Sequence, residues 1–342
     1  MSNRRILNNI VEGCYIETVD GLLFSVKGHF HPEGLIIAYL RYIPDERGER
    51  RRGKKSFKRL YNIYETNEIL RKLYPQYLNY VKELGLVLQS VPVDRISKVY
   101  HPEERLKEII DEPKTDLEKT ISCFASHLSD NSGVSINSFG ISGSVLISLA
   151  SLSSDIDLII YGSEASRRVY YALKRIRRRG HWIQPYNEKT VEHIVKARWG
   201  RTNLDLKELK KIEIRKVLHG IVDGREYFIR LVKFSEEVET AVSSKPVGRV
   251  TLKGEVSSAE ESIYTPCRYR LKDCNLEGNG NIKVLELLSF RGRFTEQVQE
   301  GDEVEAKGTL ETVQYPDRIM KRVVLGEEDD YLIPLKCMKA MN

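Results

Sequence analysis

The alternation of apolar and polar positions divides the chain into three stretches. In the first, residues 1–118, Gly21–Gly28 and Leu35–Ile43 read as strands joined by the turn-like Gly28-His-Phe-His-Pro-Glu-Gly34. Residues 44–59 are basic, contain two glycines and offer no apolar face, which predicts a mobile surface loop. Tyr61, Ile63 and Tyr64 open a further apolar element, and the spacing over Glu65–Leu86 predicts helix interrupted at Pro75. Pro102–Ile110 reads as another short helix. The stretch is an N-terminal α+β extension.

In residues 119–245, Leu117–His127 predicts a helix leading into the apolar strand Val134–Ile141. Gly143-Ser144 marks a turn, Val145–Leu152 a short helix and Ser153-Ser154 its break. Asp155–Tyr161 then reads as a strand. Ser163 can cap a helix over Glu164–Arg179 that stops at Gly180. Val191–Trp199 and Leu206–Ile212 are helical, and Gly224–Val232 is a strand. In residues 246–342 the pattern changes. Val250–Val256, Cys267–Leu271, Ile282–Leu288, Glu303–Leu310 and Arg318–Leu325 are short alternating strands without intervening helices, the signature of a small β-barrel.

A length of 342 residues suits two or three domains, and 41% apolar residues suffice for real cores. The net charge of +6 does not by itself demand nucleic acid; a charged fraction of 30% would suit a heat-adapted protein. Cys14, Cys123, Cys267, Cys274 and Cys337 are scattered without a C-x-x-C pair, which points to reduced thiols rather than disulfides or zinc. His29 and His31 read as ordinary turn histidines, since no carboxylate or cysteine cluster accompanies them. No apolar run approaches the ~20 residues of a membrane span, so a soluble, cytoplasmic protein is expected. No Walker-type loop, dinucleotide-binding glycine run or nucleophile elbow is present.

The chemistry concentrates at Gly143-Ser144 and Asp155-Ile-Asp157. Residues i and i+2 of a strand face the same side, so Asp155 and Asp157 project together. Paired carboxylates suit a hard divalent cation such as Mg²⁺ or Mn²⁺, and backbone N–H groups at a helix start attract phosphate. Gly143-Ser144, ten intervening residues and Asp155-Ile-Asp157 resemble the signature of the DNA polymerase beta-type nucleotidyltransferase superfamily, over about residues 119–235. That superfamily includes poly(A) polymerases, CCA-adding enzymes and small antibiotic- or protein-modifying transferases. The resemblance implies an α+β nucleotidyltransferase fold, a mixed sheet with flanking helices. It also implies a nucleotide-binding turn at Gly143 and Ser144, and metal-binding, catalytic aspartates at Asp155 and Asp157.

The sequence departs from the superfamily at the third carboxylate, where Arg230 occupies the usual position and Glu226 lies four residues earlier on the same strand face. Three explanations stand open: Glu226 replaces it as a catalytic group, the strand register differs, or the site binds nucleotide and transfers little. In the barrel, V-x-L-x-G-x-V at Val250–Val256 and G-D-x-V-x-x-x-G at Gly301–Gly308 resemble an OB-fold. Tyr264, Tyr269 and Phe290 with Arg268, Arg270, Arg291 and Arg293 then either grip a single strand or pack the barrel and coat its surface.

The expected function is a Mg²⁺-dependent enzyme moving an NMP from an NTP, such as ATP, to a hydroxyl, most plausibly an RNA or DNA 3′ end. Arg51, Arg52, Lys54 and Lys55 of the basic loop, with Arg175 and Arg178 of the basic helix, are the candidate nucleic-acid contacts; the alternative is a solvated charged surface. The rival functions are a non-catalytic nucleic-acid-binding module on this fold, or a transferase acting on a protein or small molecule.

Overall fold

The computed structural model describes residues 10–180, 182–200, 202, 204–276 and 283–335. The protein is a mixed α+β chain of two compact units. One runs to Val169 and takes in Arg225–Ile229; the other comprises Tyr170–Gly224 and resumes at Arg230. The boundaries expected at 118/119 and 245/246 fall inside a helix, Asp116–Ser132, and a strand, Ser243–Ser258.

The first unit opens with strands β1 (Tyr15–Thr18), β2 (Leu23–Val26), β3 (Leu35–Pro44), β4 (Arg50–Arg52) and β5 (Lys55–Arg59). Helix α1 (Ile63–Leu73), strands β6 (Leu78–Val81), β7 (Leu86–Pro92) and β8 (Ile96–Tyr100), and helices α2 (Pro102–Asp111) and α3 (Asp116–Ser132) follow. The candidate motif lies on β9 (Phe139–Ile141), the single-turn helix α4 (Gly143–Leu146) and β10 (Ile156–Tyr161). Helix α5 (Ser163–Arg179) runs on into the second unit, which holds β11 (Ile183–Gln184), α6 (Glu188–Trp199), α7 (Leu206–Arg215) and β12 (His219–Val222). Strand β13 (Arg225–Val232) is shared between the units. Then come β14 (Ser243–Ser258), β15 (Cys267–Leu276), β16 (Glu286–Ser289), β17 (Glu303–Gln314), β18 (Ile319–Val324) and β19 (Tyr331–Pro334). Among the described residues, no helix is long and apolar enough to cross a membrane.

Local chemistry sets the ends of these elements. The Asn62 side chain caps α1 by accepting from Tyr64 and Glu65 N–H, and Thr115 caps α3 by accepting from Glu118 N–H. Gly133, in the left-handed region at φ 62°, ends α3.

Several expected elements differ. Residues 44–59 form the hairpin β4–β5, not a mobile loop, with Arg50 opposite Phe57 and Arg52 opposite Lys55. The expected Glu65–Leu86 helix ends at Leu73, and β6 and β7 pair antiparallel beyond it. The Val134–Ile141 strand shrinks to Phe139–Ile141 behind a 3-10 turn, and the Val145–Leu152 helix shrinks to one turn. The expected strand Ile282–Leu288 is seen as Glu286–Ser289; Ile282 and Cys337 lie outside the described residues.

In the first unit, β1, β2 and β3 form consecutive antiparallel neighbours. One face of this sheet, through Tyr15, Leu23, Tyr42 and Phe57, packs on Leu146, Ile147 and Leu149 just beyond the Gly143 turn. The site therefore rests on a buried apolar platform. In the second unit, β14 pairs with β15, β15 with β16, β16 with β18 in parallel, β18 with β17, and β17 back with β14. Five strands thus close into a small barrel, with β19 added along β17. Its core is continuous with apolar residues of α6 and α7, including Val195, Trp199 and Leu209.

Candidate active site

Asp155 precedes β10 and Asp157 lies within it. Both are partly exposed, while Ile156 and Leu158 between and beyond them are fully buried. This is the alternation of a half-buried strand, so the two carboxylates share the outer side. Antiparallel pairing of Leu158 with Ile141 sets β10 beside β9, and Ser142 N–H donates to the Asp157 carbonyl over 2.8 Å. The turn that follows β9 is thereby fixed against the aspartate strand.

Gly143 makes that approach possible. Its φ is 62°, a conformation that costs an L side chain about 1–2 kcal/mol. A Cβ there would lie 3.0 Å from Asp157 Cγ and 3.3 Å from its Cβ, and closer still to the carboxylate Oδ2. The Asp157 carboxylate thus occupies the space a side chain at Gly143 would need. Gly143 and Ser144 are the first residues of α4, whose leading N–H groups have no partner four residues back. A single turn carries little macrodipole, so any phosphate here would meet backbone N–H groups rather than a helix field.

The Ser144 side chain does not face the opening. It is buried, and its hydroxyl donates to Ser154 Oγ at 3.1 Å. Ser154 Oγ also accepts from Ser151 N–H and from Arg50 Nη1, which further reaches Ser151 Oγ at 2.8 Å and the Leu149 carbonyl at 3.3 Å. Ser144 and Arg50 therefore brace the loop that delivers Asp155. Arg52 is likewise spent internally, donating to Tyr100 Oη at 2.7 Å and pairing with Glu17 at 2.8 Å. That removes it from the expected nucleic-acid contacts. Arg51, Lys54 and Lys55 are exposed on the outer side and tip of the same hairpin.

Arg59, which the sequence reading did not single out, lies on the inner side of the same hairpin. It follows Phe57 by two on β5 and pairs with Tyr42, so it shares their face. Burial works against its charge, but Tyr42, Tyr61 and Asp155 outweigh burial and hold the guanidinium above its ordinary pKa. The available signal was the period-two run Phe57-Lys58-Arg59, hidden within a basic stretch.

Glu226 lies exposed on β13, two and four residues from Phe228 and Arg230 on the face opposite buried Tyr227 and Ile229. Among the described residues, no three His, Cys, Asp or Glu side chains gather where they could hold a metal ion. Glu226 does not complete a three-carboxylate cage with Asp155 and Asp157. His31 is structural: Nε2 bonds the Ile10 carbonyl at 2.9 Å and Nδ1 accepts from Ile37 N–H at 3.2 Å.

On α5, Arg177 is committed to the Lys216, Val217 and His219 carbonyls, while Arg175 and Arg178 are exposed. In the barrel, Tyr264 and Tyr269 are core residues. Tyr269 Oη donates to the Phe294 carbonyl at 2.6 Å and accepts from Gln297 N–H. Arg293 donates to the Arg198 and Asp330 carbonyls and stacks on Trp199, and Arg268 pairs with Glu286. Packing, rather than strand gripping, accounts for these four; Phe290, Arg270 and Arg291 are at the surface.

No family model matches the chain, and no solved structure matches it. The sequence is similar to Uncharacterized protein MJ1086 of Methanocaldococcus jannaschii, 27% identical over 326 residues that span 91% of this chain and 94% of that protein. The likeness therefore extends across both units, and that name states no activity.

Proposed function

We propose that the protein is a nucleotidyltransferase that moves an NMP from an NTP to a hydroxyl, with a nucleic acid 3′ end as acceptor. The observation that carries this reading is the contact between Gly143 and Asp157, a glycine turn held against one of two outward carboxylates. Two partly exposed carboxylates fit Mg²⁺ or Mn²⁺, since Mg²⁺ is usually held by one or two carboxylates together with substrate phosphates. Asp155 and Asp157 would hold the ion, which when bound supplies charge neutralisation and orientation of phosphates.

The chain's own groups supply the rest. The Gly143 and Ser144 N–H groups would meet the phosphates, while Ser144, Ser154 and Arg50 keep the aspartate loop in register. In the reaction, the acceptor oxygen bonds to the α-phosphorus, the bond to the β-phosphate's bridging oxygen breaks, and pyrophosphate leaves. The acceptor proton passes to a base, for which Glu226 is the candidate on β13. Arg51 suits backbone phosphates of an acceptor, because the opposite face of its hairpin is tied to the aspartate loop, and exposed Lys54 and Lys55 extend that surface at the hairpin's tip. The pairing order of β14–β18, with its parallel β16–β18 contact, supports an OB-like barrel, a scaffold that commonly binds nucleic acid strands.

A second reading is a nucleic-acid-binding module without transfer. It is favoured by Arg230 in the usual third-carboxylate position and by the missing three-carboxylate group. Incubation with α-labelled NTPs, Mg²⁺ and RNA or DNA oligonucleotides separates the two. The transferase labels the oligonucleotide, and the Asp155→Asn, Asp157→Asn double variant does not. Labelling that survives in that variant overturns the assignment; salt-sensitive oligonucleotide binding with no labelling selects the second reading. Label on protein alone shifts the acceptor.

A further inference from the structure

The sheet face that packs on Leu146, Ile147 and Leu149 carries three arginines. Arg50 stands opposite Phe57, Arg52 follows Arg50 by two, and Arg59 follows Phe57 by two and stands opposite Tyr42. All three therefore lie on the side of Tyr42 and Phe57, toward the candidate site. Arg50 and Arg52 spend their guanidinium N–H groups on protein acceptors: Leu149, Ser151 and Ser154 for one, Ile147, Tyr100 and Glu17 for the other.

Arg59 is different. Its Nε is sealed from solvent and has no hydrogen-bond partner. Its guanidinium lies 4.8 Å over the ring of Tyr61, which is itself 66% exposed. A buried donor left without an acceptor is destabilising, and the cost is relieved when the side chain turns to bring Nε against an acceptor. The planar guanidinium fork matches phosphate oxygens two at a time, and a stacked aromatic ring fixes the plane of that fork. The neighbouring carboxylate makes a purely anionic ligand unwelcome in isolation. It is compatible with a polyphosphate that also meets a cation between Asp155 and Asp157.

We infer that Arg59 is a binding residue for the triphosphate of the nucleotide, oriented by Tyr61. This rests on the transferase reading of the Asp155 and Asp157 site and names the residue that grips its substrate. The N-terminal sheet then contributes directly to substrate binding and does not merely support the site.

The test is calorimetric titration of the full chain with MgATP, with inorganic tripolyphosphate in the presence of Mg²⁺, and with adenosine, for wild type, Arg59→Gln and Arg59→Lys. The expected result is at least a tenfold loss of affinity for MgATP and for tripolyphosphate in Arg59→Gln, a smaller loss in Arg59→Lys, and unchanged adenosine binding. The Lys72→Gln variant, at an exposed position of α1, should bind MgATP as wild type does. If wild type binds MgATP and Arg59→Gln binds it equally well, the inference is overturned and the transferase reading stands. If wild type binds neither MgATP nor tripolyphosphate, the transferase reading itself falls and Arg59 with it. Should Arg59→Gln fail to fold, the charge-preserving Arg59→Lys decides: unchanged tripolyphosphate affinity in that variant overturns the role of the fork.

Discussion

Around Glu213, the second unit seals charge away and surrounds it with donors; around Asp157, the first unit leaves charge at a partly exposed surface against a bare glycine. Glu213 is fully buried and accepts from Arg198 at 2.9 Å, Trp199 Nε1 at 3.1 Å and Lys216 at 3.1 Å. Lys216, equally buried, also donates to the Arg293 carbonyl at 2.6 Å. Burial opposes the Glu213 charge, but Lys216 and Arg198 outweigh it and hold the carboxyl below its ordinary pKa. The first arrangement is closed, and its groups hold α6, α7 and the 3-10 turn Gly292–Phe294 of one unit together. The second is partly exposed to solvent. A buried, satisfied cluster contributes to architecture; an open pair fitted to a turn is what a ligand site requires.

That contrast can be broken experimentally. The largest expected stability effect is at the closed cluster. Glu213→Ala strands a buried ammonium and should cost about 3–5 kcal/mol, read as a lowered urea midpoint. A loss below about 1 kcal/mol would show that the cluster is not the structural element described. At the open pair the effects should separate. Gly143→Ala should cost about 1–2 kcal/mol for the left-handed backbone, yet lower transfer about 10²-fold by displacing the Asp157 carboxylate. Transfer at the wild-type rate in that variant would contradict the tight fit.

The smallest effect is a pH slope in the first unit. Burial lowers the His31 pKa from its ordinary 6.5 to about 4. The unfolded chain therefore binds this proton more readily than the folded one. The stability that neutral His31 contributes is present above about pH 6.5 and is lost as pH falls toward about 4. Denaturation midpoints measured between those pH values should decline in wild type and decline less in His31→Gln. Equal slopes in the two proteins would remove His31 from the account.

The legible parts of this chain were those written in local periodicity. Ile156 and Leu158 inside, with Asp155 and Asp157 outside, follow directly from a strand's period of two, and the barrel strands from β14 to β18 carry the same signal. Helix α3 was legible from its apolar spacing. The hairpin β4–β5 was not, because the groups that order it are distant in sequence: Leu149, Ser151 and Ser154 for Arg50, and Glu17 and Tyr100 for Arg52. Strand β6 falls within the expected helix because its exposed Tyr80 faces the equally exposed Val87 of β7, which breaks the usual inside–outside alternation. The Gly143-Ser144 turn was legible, but the inward orientation of the Ser144 hydroxyl depends on Ser154, whose position follows from the whole loop.

The central claim is that Asp155 and Asp157 act together with the Gly143 turn on a nucleotide and its cation. Its most direct test is the affinity of wild type and the Asp155→Asn, Asp157→Asn double variant for ATP, measured with and without Mg²⁺ and alongside their thermal midpoints. The account predicts Mg²⁺-dependent binding in wild type and its loss in the variant at an unchanged midpoint. Equal affinity in both proteins, or binding indifferent to Mg²⁺, would contradict it.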